Sequence, residues 1–243
     1  MSHFSKLASV HRGIIFEQRS LHTLQDHFSM SLRRVGGKSD GGIDLVGWWW
    51  LPFLPLERAL SDPDGILRRP LRIFAQCKAE KKKFSPNYVR EMEGVWHIQS
   101  RTPAPSASHE AGRGDSSYMS VALLLSESSF SHSTLLRAYQ STVPFLLVHL
   151  PTTVLSPSPS LSFPPPFGDD FRPSPNHGNF GAVYPNPTLT NLVSPLVIRW
   201  ERTTPSLGDS DAPLLVHGRP GLWWQGHRLR SWSPDVTEDD PHR

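Results

Sequence analysis

Three short apolar runs, at residues 71–78, 118–125 and 144–150, alternate with segments whose apolar residues recur at helical spacing. Runs of seven or eight residues rich in Leu, Ile, Val and Phe are too short for buried helices and match strands covered on both faces. Between the first two, Ser85 and Pro86 make a helix start of the cap-then-N1 kind, followed by Tyr88, Val89, Met92, Val95 and Trp96. This predicts a helix over 86–98. Between the second and third, residues 131–141 predict a shorter helix with Leu135, Leu136 and Tyr139 on one side. A strand, helix, strand unit of this length favours parallel pairing through a right-handed crossover. The expected fold class is α/β, with a mixed central sheet flanked by helices.

Upstream, residues 13–28 place Ile14, Ile15, Leu21, Leu24 and Phe28 near one side of a helical wheel, with Glu17, Gln18 and Arg19 between them. Residues 31–35 and 43–48 read as two strands joined across a Gly-rich connection at 36–42, and so as a hairpin. Four prolines in residues 51–70 point to a long excursion before the 71–78 strand. Residues 100–117, rich in Ser, Pro, Gly and Ala, read as a loop.

The composition changes at residue 151. The chain holds 24 prolines in 243 residues, about twice the usual ~5% share. Residues 151–175 contain eight of them and five serines, too little apolar surface to offset the entropy of ordering. The expected organisation is an N-terminal segment at 1–12, one domain at 13–150, a disordered Pro/Ser-rich loop at 151–182, a C-terminal β extension packing on the core at 183–235, and a tail at 236–243. Within the extension, residues 196–200 and 222–224 read as strands, and Gln225-Gly226-His227 predicts a terminal hairpin.

One cysteine, Cys77, excludes an internal disulfide and a Cys-based zinc cage. The twelve histidines are scattered, without a His-Glu-x-x-His pattern. No apolar stretch approaches the ~18 residues of a membrane helix, so membrane insertion is not expected. Neither a Walker-type phosphate loop nor a Gly-x-Ser-x-Gly elbow occurs, which argues against nucleotide hydrolysis and serine esterase chemistry.

What remains is Asp44, inside Gly41-Gly42-Ile43-Asp44-Leu45, and Gln76-Cys77-Lys78 at the end of an apolar strand. Residues two apart on a strand face the same way, so Gln76 and Lys78 project together and Cys77 points to the other face. Asp44 lies on the preceding strand of the meander. Its carboxylate, the Gln76 amide oxygen and a backbone carbonyl between them form an oxygen set suited to Mg²⁺ or Mn²⁺. Lys78 would orient or deprotonate an attacking water and offset charge building on a phosphodiester. Glu17, on the first helix, would reach the cluster as an outer ligand. Taken singly, each residue also has a plain structural role, as turn, strand end or solvated helix face.

The order of these parts resembles the PD-(D/E)XK nuclease superfamily, in particular its Mrr-like restriction endonuclease branch, where Gln commonly replaces the second acid. A further likeness is to the fungal mitochondrial family named for being required for respiratory growth. The matching stretches are residues 13–17, Arg34-Val35-Gly36-Gly37 through Leu45, Gln76-Cys77-Lys78, and Val89-Arg90-Glu91-Met92-Glu93-Gly94. The resemblance implies a restriction-endonuclease-like core over 13–150, with Asp44, Gln76 and Lys78 in the catalytic positions and Glu17 as accessory acid. It implies metal-dependent hydrolysis of DNA, in mitochondrial genome maintenance or respiratory growth. The alternative is a catalytically inactive nuclease fold that binds DNA or acts as an organellar scaffold. A homodimer is compatible with either.

Seven cations fall within sixteen residues around the proposed catalytic strand: Arg68, Arg69, Arg72, Lys78, Lys81, Lys82 and Lys83, opposed by Glu80 alone. Such density suits a phosphate backbone, and DNA is the expected partner. The Trp48-Trp49-Trp50 run and Trp223-Trp224 read as core or interface packing ahead of base stacking. Residues 1–16 carry Lys6 and Arg12 and no acid, faintly like a transit peptide. Mitochondrial location is thus implied mainly by the resemblance, the alternative being nuclear or cytoplasmic.

Overall fold

The computed structural model describes residues 3–35, 42–52, 60–100, 119–152, 180–202 and 218–234. The chain opens with α1 (His3–Phe28), ten residues longer at its start than the apolar periodicity predicts. It continues through β1 (Met30–Arg34), β2 (Leu45–Pro52), a two-residue β3 (Leu60–Ser61) and β4 (Leu67–Lys78). Then come α2 (Pro86–Gln99), β5 (Ser120–Ser126), α3 (His132–Tyr139) and β6 (Phe145–His149). The last part holds β7 (Ala182–Pro185), α4 (Pro187–Leu192), β8 (Leu196–Arg202), β9 (Gly218–Trp224) and β10 (His227–Arg228).

The main sheet has the order β1-β2-β4-β5-β6-β7, with β3 alongside β4. The expected hairpin is present as the antiparallel pair β1 and β2, and β4 returns antiparallel to β2. The β4, β5 and β6 pairs are parallel, through crossovers carrying α2 and α3. β7 closes the edge antiparallel to β6. The fold is therefore α/β with a mixed central sheet, as the spacing of the apolar runs predicts.

Strand alternation divides the core into two layers. Leu71, Ile73, Ala75 and Cys77 of β4, with Val121, Leu123 and Leu125 of β5, pack against Phe16, Leu24 and Phe28 of α1. Phe74 of β4 and Ala122 and Leu124 of β5 face the other way, onto Phe84, Val89 and Met92 at α2 and Ala138 of α3. Coverage on both faces is why these strands read as continuous apolar runs rather than alternating ones. The second sheet, β10-β9-β8, folds over α1, and its Leu196, Leu222 and Leu229 join the layer beneath. Its hairpin turns at Gln225 and Gly226, both at positive φ (49° and 85°), the primed geometry that suits the twist of flanking strands.

Several expectations change. β4 begins at Leu67, not Leu71, so the excursion after β2 is shorter than proline content suggests. The reason is Arg68, which is fully buried and paired with Asp62 at 2.7 Å, neither side chain exposed. It also donates to Ser29 Oγ (3.1 Å) and to the carbonyl of Arg230 (2.9 Å). Arg68 is thus a structural cation of the core, and its assignment as a nucleic-acid contact is corrected. On α3 the residues turned inward are Thr134 and Ala138, whereas Leu136 and Tyr139 stay exposed. The Thr134 hydroxyl donates to the Phe84 carbonyl at 2.6 Å, and small Ala138 permits the close approach. Trp48, Trp49 and Trp50 are all buried, in keeping with packing. Phe180, at the end of the Pro/Ser-rich tract, is buried against His27 and Phe28, and strand structure starts at Ala182. Of the loops expected at 100–117 and 151–182, residues 101–117 and 153–179 lie outside the described residues. Among the described residues no helix is long and apolar enough to cross a membrane.

Candidate active site

The end of β4 is where the sequence-predicted residues meet. Asp44 precedes β2 and is fixed by two backbone bonds: its N–H donates to the Ala75 carbonyl, and its carbonyl accepts from Val35 N–H, both at 2.8 Å. Its Oδ2 accepts from the Cys77 N–H at 2.7 Å. The carboxylate is therefore pinned to the Gln76-Cys77-Lys78 segment and oriented before any ligand arrives.

Gln76 lies on the α2 face of the sheet and is 5% exposed. Gly42, at φ +85°, packs closely against it: a Cβ there would sit 3.1 Å from Gln76 Nε2. With the amide nitrogen against Gly42, Oε1 is left buried without a hydrogen-bond partner among the described residues. A buried amide oxygen without a donor costs about 1–3 kcal/mol, so it requires a reason.

Lys78, half-buried, shares the face of Gln76, and its Nζ lies 5.0 Å from the centre of the Tyr88 ring. Cys77 points to the α1 face. Burial first, and then the charges of Asp44 and Glu17, push its thiol well up, so it stays protonated and packs.

Glu17 approaches from that α1 face. Its Oε2 accepts from Arg34 Nε at 2.8 Å and pairs with Nη2 at 2.7 Å. The structure thus brings Asp44, Gln76 and Lys78 to one strand end, and holds Glu17 across the sheet in a forked ion pair. Arg34 belongs to a stretch singled out in the sequence, but the pairing has no local signal: the two residues are seventeen apart on different elements. Further along the same end, Glu127 is held by Arg12 (2.9 Å to Nε) and Thr152 (2.6 Å). Burial pushes the Glu127 carboxyl up, and those two partners together with the charge of Arg19 more than offset it, leaving it below the ordinary range.

The basic residues separate into two groups. Lys81, Lys82 and Lys83 are exposed on the loop directly after β4, whose backbone is anchored by Ser128 Oγ donating to the Lys82 carbonyl at 2.6 Å. Arg72 and Arg69 lie about 20 Å and 30 Å back along β4 from Lys78, at ~3.3 Å per residue. Arg72 is half-buried with its guanidinium 4.8 Å from the Phe74 ring. Only the lysines adjoin the strand end. Among the described residues no three His, Cys, Asp or Glu side chains converge as a metal centre, so a cation here would rely on Asp44, Gln76, backbone carbonyl and water. A shallow cavity of about 200 Å³ lies elsewhere, between α3 and β7, lined by Leu135, Tyr139 and Tyr184, and brings no charged group.

Residues 8–193 match the family model described as Required for respiratory growth protein 7. An uncharacterised mitochondrial protein of Schizosaccharomyces pombe is 35% identical over 86 residues, 35% of this chain and 30% of that protein. The mitochondrial Required for respiratory growth protein 7 of Zygosaccharomyces rouxii is 29% identical over 116 residues, and that of Saccharomyces cerevisiae S288c 29% over 117. In both cases 37% of this chain and 48% of the relative are covered. The chain thus spans about half or less of the length of these relatives. Among solved structures, MspJI restriction endonuclease in complex with a 27-mer oligonucleotide is similar with a TM-score of 0.29 and 15% identity, over 59% of this chain and 24% of that one. A similarity of that size does not define a shared fold.

Proposed function

We propose that this chain, which belongs to the Required for respiratory growth protein 7 family, is a mitochondrial metal-dependent nuclease acting on DNA through Asp44, Gln76 and Lys78. The observation that carries the reading is the buried, unpartnered Oε1 of Gln76 beside a carboxylate fixed by the Cys77 N–H. Asp44, Gln76 and a backbone carbonyl between them would hold Mg²⁺ or Mn²⁺, hard cations that take oxygen ligands. Such an ion supplies Lewis-acid polarisation of a phosphodiester and a more acidic bound water.

The chain's own residues account for the rest. Asp44 needs no reorganisation, because Cys77 already orients its carboxylate. Lys78 offsets negative charge on the phosphodiester as water adds. Lys81, Lys82 and Lys83 attract the DNA backbone, a sequence-independent interaction that weakens steeply with salt. Glu17, the accessory acid by resemblance, acts by holding Arg34 at the same end of the sheet. The second reading, a nuclease-like core that binds DNA without cutting it, is favoured by one feature: Gln76 is neutral, which leaves Asp44 the only carboxylate of the three.

Purified protein assayed on DNA with Mg²⁺ or Mn²⁺ separates the two. Cleavage is expected, with Asp44→Asn and Lys78→Ala each lowering the rate by about 100-fold or more. Cleavage undiminished in both variants removes the site. No cleavage by any form, with salt-steep DNA binding, establishes the second reading.

Gln76→Met supplies an independent check on stability. It keeps the length of the side chain and deletes the orphaned oxygen, so the metal-free protein should gain about 1–2 kcal/mol. The rise in Tm that saturating Mn²⁺ gives the unsubstituted protein should shrink in this variant. A large loss of stability on this substitution would mean that the amide has a structural partner and the cation argument fails.

A further inference from the structure

In the proposed reaction Lys78 must present its charge to a phosphodiester, yet the rotamer freedom of a long lysine side chain works against any single placement. Among the described residues no carboxylate lies within ion-pair distance of Lys78. What it meets is an aromatic ring. We infer that Tyr88 is the positioning residue for Lys78, an inference that rests on the nuclease reading above.

The ammonium lies 5.0 Å from the ring centre, inside the ~6 Å reach of a cation–π contact. Tyr88 is itself held from two sides. Its ring packs on Phe84 at 4.7 Å, and Phe84 in turn packs on Phe130 at 5.2 Å. Its hydroxyl donates to Glu80 Oε1 at 3.1 Å, and its place in the first turn of α2 is set by Pro86 at the helix start. The ring is therefore a fixed platform, on a core helix, at the face shared by Gln76 and Lys78.

The choice of an aromatic partner has a chemical consequence. A carboxylate in the place of Tyr88 would hold the ammonium more tightly and cancel its charge. A π face holds it without cancelling it, so the full positive charge stays available to a phosphodiester.

Tyr88→Phe keeps the ring and loses the Glu80 bond; Tyr88→Leu loses the ring. Cleavage by the Phe variant should stay within about 3-fold of the unsubstituted protein, whereas the Leu variant should lose about 10-fold in kcat at unchanged KM. NMR gives a second measurement that needs no activity. The ε-methylene protons of Lys78 should be shifted upfield by the ring, a shift retained with Phe and lost with Leu. Full kcat in Tyr88→Leu overturns the inference alone, and so does an ordinary ε-methylene shift in the unsubstituted protein. Absence of cleavage with the shift intact overturns the nuclease reading, and with it any catalytic use of the contact.

Discussion

Asp62→Ala should lower the free energy of unfolding by about 3–5 kcal/mol, read from urea denaturation, because it leaves a charged guanidinium buried without its counter-ion. Both side chains are fully buried, and Arg68 Nε donates to Asp62 Oδ2 at 2.7 Å. The second carboxylate oxygen is also in use, accepting from the N–H groups of Asp64 (3.0 Å) and Ile66 (2.9 Å), so it shapes the turn between β3 and β4. The remaining guanidinium contacts reach Ser29, the Trp50 carbonyl and the Arg230 carbonyl, joining the end of α1, β2 and the C-terminal segment at one cation. Truncating either partner strands the other. Replacing both by apolar residues, Asp62→Leu with Arg68→Met, should cost much less than the two single changes together, since a buried pair barely repays its own desolvation. DNA affinity of the folded double variant should match that of the unsubstituted protein. An Asp62→Ala cost below about 1 kcal/mol would show the pair to be hydrated, and would return Arg68 to the surface group from which it is removed above.

That pair also explains what the sequence conceals. The strands at 71–78, 118–125 and 144–150 are legible because both of their faces are buried, which leaves an unbroken apolar run. The first four residues of β4, Leu67 to Pro70, are not: two arginines and a proline look like loop, and the ion pair that buries one of them depends on a residue across a turn. α3 misleads for a related reason, since its inner side is chosen by a threonine hydroxyl and a small alanine rather than by its larger apolar residues. α4 and β7 carry too few residues for a periodic signal. At the candidate site, strand alternation alone places Gln76 with Lys78 and turns Cys77 away. Spacing could not supply the Cys77 N–H that holds Asp44, the Arg34 that holds Glu17, or the orphaned oxygen of Gln76. The first two are contacts between side chain and distant backbone or between elements, the third is the lack of one, and none leaves a periodic trace.

Asn186 gives the second large effect, and its direction runs against capping preference. The residue caps α4 and is 3% exposed. Its Oδ1 accepts from Phe145 N–H (3.0 Å) and Leu189 N–H (2.9 Å). Its Nδ2 donates toward the carbonyls of Ala138 (3.0 Å), Ser141 (3.3 Å) and Val143 (2.8 Å). One amide therefore ties the end of α3, the start of β6 and the start of α4. Asn186→Ala removes a cap and strands buried donors and acceptors, a loss of about 3–5 kcal/mol. Asn186→Asp would be nearly neutral if capping alone mattered, because Asp caps as well as Asn. Here the new oxygen would face carbonyl oxygens at hydrogen-bond distance, so at neutral pH the change should cost at least as much as alanine. Burial and those carbonyls would raise the introduced carboxyl's pKa above its unfolded value, and the folded state would then bind the extra proton. Its stability should be greatest below the unfolded pKa and fall as pH rises through the folded one, narrowing the gap to the unsubstituted protein in acid. Denaturation midpoints of both variants across pH 4 to 8 measure this. An Asn186→Asp protein within about 0.5 kcal/mol of the parent at neutral pH would mean that Nδ2 contributes nothing and the cap alone is at work.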